Sequence, residues 1–363
     1  MRTKKNTSNI IRRGFVRAEA AKRGIISLAA CLALAAALSP AASAVGIETR
    51  LIPLGGTVGI NLSSEGVIVV GIQEKTKDGT AESPAKAAGI KTGDVIRHIG
   101  PMQIEAKDDL KEILSRLDGS PVPVEVLRDG QPLTMSLTPH RHEGGAYELG
   151  LWLRDGIAGI GTLTFYDPKS GLFGALGHSI NDAESGTPVP LKNGVIVRSS
   201  VTGVTKGKAG TPGQLNGSFD FDDVLGSVTA NTGSGIFGYM NENIAESRDP
   251  LPVASVGEIR TGPATILANV SGGDVKEYGI EISRVYSGAE GTDRSMMITV
   301  TDQRLIGKTS GIVQGMSGSP IIQNGKLVGA VTHVLINDPE RGYGISAERM
   351  LQTALENTRK NAA

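Results

Sequence analysis

A mainly β chain, with an export segment ahead of two β-rich modules, is what the sequence predicts. Three observations carry that expectation. The 363 residues contain 49 glycines and few aromatics, which suits many short strands and tight turns better than long helices. Apolar residues alternate with polar ones through most of the chain after residue 50. An apolar run follows a basic N-terminus. Lys+Arg and Asp+Glu both number 37, so the formal net charge is zero and nothing favours binding to nucleic acid.

Residues 1–44 read as a signal peptide or an N-terminal membrane anchor. Arg and Lys crowd residues 1–23, the apolar run Gly24–Leu38 follows, and Ala42-Ser-Ala44 offers a cleavage site. Both readings put the rest of the chain outside the cytoplasm. Arg12-Arg13 and Leu28-Ala-Ala-Cys31 are weaker export signals of other kinds. Cys31 is the single cysteine, so the mature chain has no thiol nucleophile, disulfide or thiolate metal site. No cofactor and no metal is expected.

Residues 50–140 form the first module. Leu54-Gly-Gly-Thr-Val-Gly-Ile-Asn-Leu62 and Val67-Ile-Val-Val70 precede Ser83-Pro-Ala-Lys-Ala-Ala-Gly-Ile-Lys-Thr-Gly-Asp-Val-Ile96. An amphipathic helix over about 107–117 follows, with Leu110, Ile113, Leu114 and Leu117 on one face. Val122, Val124 and Val126 alternate before the Asp129-Gly130 turn, and Leu133, Met135 and Leu137 alternate after it. The 83–96 run resembles bacterial PDZ domains, which add a peptide as an extra strand and hold its carboxylate in a nest of backbone N–H groups. By that resemblance the nest is Val58, Gly59 and Ile60, with the groove between this strand and the 108–117 helix. Its occupant is a ligand in trans or a tether in cis.

Residues 150–355 form the second module. Gly315-Met-Ser-Gly-Ser-Pro320 lies in a segment without helical periodicity, ahead of the Asn324-Gly325 turn, the strand 327–332 and the Gly-rich strand from Gly342. This order resembles the second half of trypsin-like proteases, and implies a double β-barrel. Glycine lets the loop turn N–H groups inward, so Gly315 and Ser317 are candidate oxyanion donors and Ser317 the nucleophile. Ser319, where such loops have a second glycine, competes with it. The base is His178, in the small-residue turn Phe173–Ile180. His333 is its rival and, with Thr332, a candidate for the specificity pocket. His98 belongs to the first module, and His140 and His142 to an exposed stretch between modules. Asp302, ending the strand Ile298–Thr301, is the candidate orienting carboxylate. Asp220, Asp222 and Asp223 are alternatives, read as a solvated turn.

Together, Gly177-His-Ser-Ile180, Thr301-Asp302, Gly315–Pro320, Ala330-Val-Thr-His-Val334 and the preceding PDZ-like module closely resemble the SpoIVB sporulation peptidases. The resemblance implies an exported serine endopeptidase of the forespore intermembrane space with a His178–Asp302–Ser317 triad. It implies cleavage of the regulator of a membrane metalloprotease, leading to sigma-factor activation, and self-cleavage near the N-terminus. Two other functions stay open: an HtrA-like envelope quality-control protease, whose PDZ domains follow rather than precede the catalytic part, and a non-catalytic PDZ scaffold.

Overall fold

The computed structural model describes residues 49–142, 144–242, 248–286 and 294–361. The export segment lies outside the described residues. Ladders that close on themselves satisfy the backbone here and leave few free edges. Strand β1 (Arg50–Pro53) leads to the long β2 (Thr57–Ile72), then β3 (Val95–Ile99), β4 (Met102–Gln103), β5 (Val122–Arg128) and β6 (Gln131–Leu137). The short hairpin β7 (His140–Arg141) and β8 (Tyr147–Glu148) precedes β9 (Leu151–Tyr166) and β10 (Leu172–Ala175). Strands β11 (Leu191–Thr205), β12 (Gln214–Thr232), β13 (Gly235–Met240) and β14 (Leu251–Pro252) complete the first half.

Strands β9, β10, β13, β12, β11 and β2 pair in that order, and β2 pairs back onto β9, closing a six-stranded ring. Val58, Ile60, Leu62, Leu163, Phe173 and Ile196 fill it. A second six-stranded barrel follows from β15 (Gly262–Ala268), β16 (Lys276–Val285), β17 (Met296–Val300), β18 (Pro320–Gln323), β19 (Lys326–Leu335) and β20 (Asp338–Ser346), in the order β15-β16-β17-β20-β19-β18. Ile266, Ile280, Ile298, Met316, Ile321 and Val331 lie in its core. The double β-barrel expected from the sequence is present.

The first module is an insertion into the first barrel, between β2 and β9. Both strands run through the junction: β9 pairs with residues 57–63 of β2 in the barrel and with residues 68–72 beyond it, across a shift in register. The module's own core gathers Val67, Val69, Ile96, Ile99, Ile113, Val124, Val126 and Leu137 under the helix Asp109–Ser115. Asp94 of the Gly-Asp-Val-Ile run is buried and takes both arms of Arg128, at 2.7 Å each. Asp129 and Gly130 both have positive φ, as the tight hairpin requires.

Two expectations change. Residues 58–63, inside the span expected for the PDZ-like module, also pair on both sides within the first barrel. Val58, Gly59 and Ile60 pair with Gly161, Ile160 and Gly159 on one side and with Arg198, Val197 and Ile196 on the other. Their N–H groups are spent on sheet ladders, so they form no carboxylate nest, and β9 of the same chain fills the edge that an added peptide needs. Two helices were not anticipated. Gln303–Thr309 follows β17 directly. Ala347–Asn361 runs past the expected end of the module and buries Met350 and Ala354 against Phe165, Phe237 and Leu327, across both barrels.

Candidate active site

Ser317 sits where the second barrel is pressed against the first. Gly318 has φ +97°, and a Cβ on it would lie 2.0 Å from the carbonyl oxygen of Thr162 in β9. Only glycine allows that approach. Thr162, itself buried, donates from Oγ1 to the Gly315 carbonyl at 2.6 Å and from its N–H to the Ser317 carbonyl at 3.1 Å. The loop of one barrel is therefore fixed on a strand of the other. Sequence reasoning missed Thr162, which reads as one more residue of an alternating strand.

The loop amides sort into two groups. Gln314, Met316, Gly318 and Ser319 donate to Gly213, Val313, Val331 and Met316 respectively. Gly315 and Ser317 are the two amides of residues 314–319 without a backbone acceptor among the described residues. Both residues line the same cavity. The two serines differ as sharply. Ser317 is half-buried, lines that cavity, and donates from Oγ to the Thr332 carbonyl at 2.6 Å. Ser319 is fully buried, and its Oγ has no hydrogen-bond partner among the described residues. A hydroxyl shut off from substrate is not a nucleophile.

His178 reaches the cavity from the first barrel. Leu176 (φ +68°) and Gly177 (φ +74°) turn the chain sharply after β10. A Cβ on Gly177 would lie 2.8 Å from Cγ2 of Thr332, so the turn packs on the strand behind Ser317. Nδ1 of His178 lies 2.8 Å from the Ser179 carbonyl. A carbonyl only accepts, so Nδ1 carries a proton toward it, and in the neutral ring Nε2 is the basic atom. His333 stands beside His178, ring centroids 4.8 Å apart, and also lines the cavity.

Asp302 is placed differently from the expectation. It is the N-cap of the helix Gln303–Thr309, where exposed amides and a cation attract a carboxylate. Oδ1 accepts from the N–H of Arg304 at 2.8 Å and Nε at 3.0 Å, while Oδ2 accepts from Nη2 at 2.7 Å and the Gly279 N–H at 3.3 Å. The Arg304 guanidinium holds this carboxyl well below the usual carboxylate range. The imidazole–carboxylate bond expected between His178 and Asp302 is replaced by these contacts and by the Ser179 carbonyl. Asp220 and Asp222 are exposed on β12, and Asp223 pairs with Arg198. His140 and His142, expected on an exposed stretch, are half-buried instead.

The cavity has a volume of about 540 Å³. Ile60, Ile160, Leu176, Ile312 and Val334 give it apolar walls, with Ser317, His178, Thr332 and His333 as its polar face. An apolar slot lined by a hydroxyl, an imidazole and two residues whose amides lack a backbone acceptor among the described residues suits acyl transfer to serine.

The family model of the SpoIVB peptidase S55 matches residues 145–351, more than half of the chain, and that of the PDZ domain matches residues 56–138. Among solved structures, the active form of the Rv3671c protease from M. tuberculosis is 16% identical, covers 55% of this chain and 74% of its own, and has a TM-score of 0.33. The HtrA-type protease AlgW with a decapeptide is 12% identical, covers 60% of this chain and 58% of its own, and has a TM-score of 0.34. A protein of Clostridium perfringens, by name a zinc metalloprotease, is 28% identical over 109 residues, which are 28% of this chain. The chain spans about a third of that relative's length, 32%.

Proposed function

We propose that this chain, which belongs to the SpoIVB peptidase S55 family, is an exported serine endopeptidase that acts as a sporulation signal by cutting a membrane-associated regulator and its own N-terminal region. The observation that carries the catalytic part is the meeting of Ser317, His178 and two uncommitted amides on one apolar cavity. Rotation of Ser317 about χ1 exchanges the Thr332 carbonyl for Nε2 of His178, which takes the hydroxyl proton as Oγ attacks the scissile carbonyl. The amides of Gly315 and Ser317 receive the developing oxyanion, each contributing about 3 kcal/mol on the scale of such donors. His178 then protonates the leaving amine, and water releases the acyl group with His178 again as base.

The Ser179 carbonyl does for His178 what a carboxylate does in a triad: it fixes the tautomer. Asp302 acts as a helix cap. Thr332 and His333 border the slot for the substrate side chain, and its isoleucine, leucine and valine walls favour an apolar residue there. With the added-strand edge filled by β9, the PDZ-like module works in cis and the peptide is recognised at the cleft. The sporulation role, the regulator of a membrane metalloprotease as substrate and the forespore intermembrane space as location rest on family membership.

The test is a fluorophosphonate label on the full chain, with the modified serine identified by mass spectrometry. Ser317 takes the label, and Ser317→Ala leaves the N-terminal region uncut. A label on Ser319, or none on a folded chain, overturns the assignment. Self-cleavage that persists in Ser317→Ala overturns the signalling reading but not the nucleophile.

A further inference from the structure

Where the PDZ-like module hands over to β9, four side chains able to bind a metal converge. The first comes from the loop 75–82. Thr76 Oγ1, Thr80 Oγ1 and the Thr80 N–H donate to Oδ1 of Asp78 at 2.6, 2.7 and 3.0 Å. That pins one oxygen and aims the other, Oδ2, at Nε2 of His140, 2.9 Å away. The other three come from the β7–β8 hairpin and the residue after β7. His140 is paired directly with Glu148, and His142 follows His140 by two residues, the spacing that keeps side chains on one face. One ligand atom each from Asp78, His140 and His142 lie within 4.8 Å of one another.

Glu148 supplies the second, independent observation. It is 6% exposed, and its Oε1 accepts the Lys77 N–H at 2.9 Å. Its Oε2 lies 3.1 Å from Nε2 of His142. Both of these atoms are shut off from solvent, and neither makes a hydrogen bond among the described residues. The carboxylate oxygen and the imidazole nitrogen stand at ion-pair distance but out of line for a hydrogen bond, so only a protonated ring holds the buried oxygen. A cation accepting a lone pair from each satisfies both.

We propose that Asp78, His140, His142 and Glu148 form a binding site for one divalent transition ion of the zinc class. Zinc bonds of about 2.0–2.2 Å at tetrahedral angles separate the ligand atoms by roughly 3.3 Å. Asp78 and His140 stand 2.9 Å apart, Glu148 and His142 3.1 Å, and Glu148 lies beside the group of Asp78, His140 and His142 and closes onto it as the ion binds. Two imidazoles with two carboxylates suit zinc and disfavour calcium or magnesium, which take oxygen-rich sets. The Lys77 amide on Glu148 and the threonines on Asp78 are the outer contacts that orient such ligands. Four protein ligands leave no open position, so the ion is structural. It staples the loop 75–82 to the hairpin that roots β9, the strand whose far end carries Thr162.

The test uses the full chain stripped with a chelator and titrated with Co²⁺, then with Zn²⁺ in competition. One equivalent of Co²⁺ gives an intense four-coordinate visible spectrum, Zn²⁺ displaces it, and Zn²⁺ raises the melting temperature. The near-isosteric Glu148→Gln and His142→Ala each weaken binding by at least ~10–100-fold, the range seen even for outer-shell changes. His178→Ala binds as the wild type does. Absence of binding at micromolar metal, a weak six-coordinate spectrum, a signal that survives Glu148→Gln, or one lost in His178→Ala overturns the proposal. The wild-type titration stands by itself if His142→Ala does not fold.

Discussion

Two histidine pairs lie in this chain, and what surrounds each decides its use. In the cleft, His178 and His333 stand with ring centroids 4.8 Å apart beside a serine hydroxyl, a backbone carbonyl and aliphatic walls. At the hairpin, His140 and His142 stand 5.8 Å apart, edge to face, with a carboxylate oxygen 2.9 Å from one and 3.1 Å from the other. The first setting gives an imidazole a proton to take and return. The second surrounds two imidazoles with negative charge and suits a shared cation. Residue type alone does not separate these uses, since both pairs arise on strand ends and turns.

The cleft side of this comparison breaks most visibly at His178. His178→Ala is expected to lose as much activity as Ser317→Ala, on the order of a millionfold if the groups act as a unit, and the double variant no more than either. Single-turnover cleavage of a peptide with an apolar residue at the scissile position measures this, and a double variant far below the singles means that the two act separately.

Asp302→Asn sharpens the question of what orients His178. Asn still caps the helix, so the loss is that of the charge facing Arg304 and the helix N-terminus, about 0.3–1 kcal/mol, read as a fall in melting temperature, with rates within about tenfold of wild type. A loss near 10⁴-fold marks an orienting carboxylate that leaves Arg304 for the imidazole. The Asp302 carboxyl is lowered mainly by Arg304, so its contribution is complete above the ordinary aspartate value of about 3.9. It fades as pH falls through the lower folded value, so the gap between variant and wild type closes in acid.

His333→Ala is a smaller perturbation: labelling of Ser317 stays within about tenfold while the preference among peptides changes, since this exposed side chain borders the slot. A dead His333→Ala beside an active His178→Ala exchanges their roles. The smallest effect is expected for Ser319→Ala. The removed hydroxyl is buried and unpartnered, so stability measured by urea unfolding changes by less than about 1 kcal/mol, and activity is kept. A large loss there means the Ser319 hydroxyl has work that the resting structure does not show.

Much of this was legible before any coordinates. Alternation and turn residues gave the strands of both barrels, because side chains on successive residues face opposite sides of a sheet. The 315–320 loop announced its chemistry because glycine's freedom at positive φ, and a serine between two glycines, are local properties of the chain. The small residues around His178 let its imidazole stand at the cavity.

What the sequence could not decide is which strands close a ring and which carboxylate meets which base. Pairing of β2 with both β9 and β11 joins residues far apart in the chain, and no local pattern separates an open edge from a covered one. Hence Val58, Gly59 and Ile60 read as a nest and fold as a barrel strand. Asp302 ends a strand at a suitable distance from Ser317, but the helix after it and Arg304 two residues on draw its charge elsewhere. Ser317 over Ser319, Thr162 under the nucleophile loop, and Asp78 beside His140 are likewise long-range outcomes. Local propensity determines the elements; the contest between distant partners for each backbone group and each charge is settled only by tertiary packing.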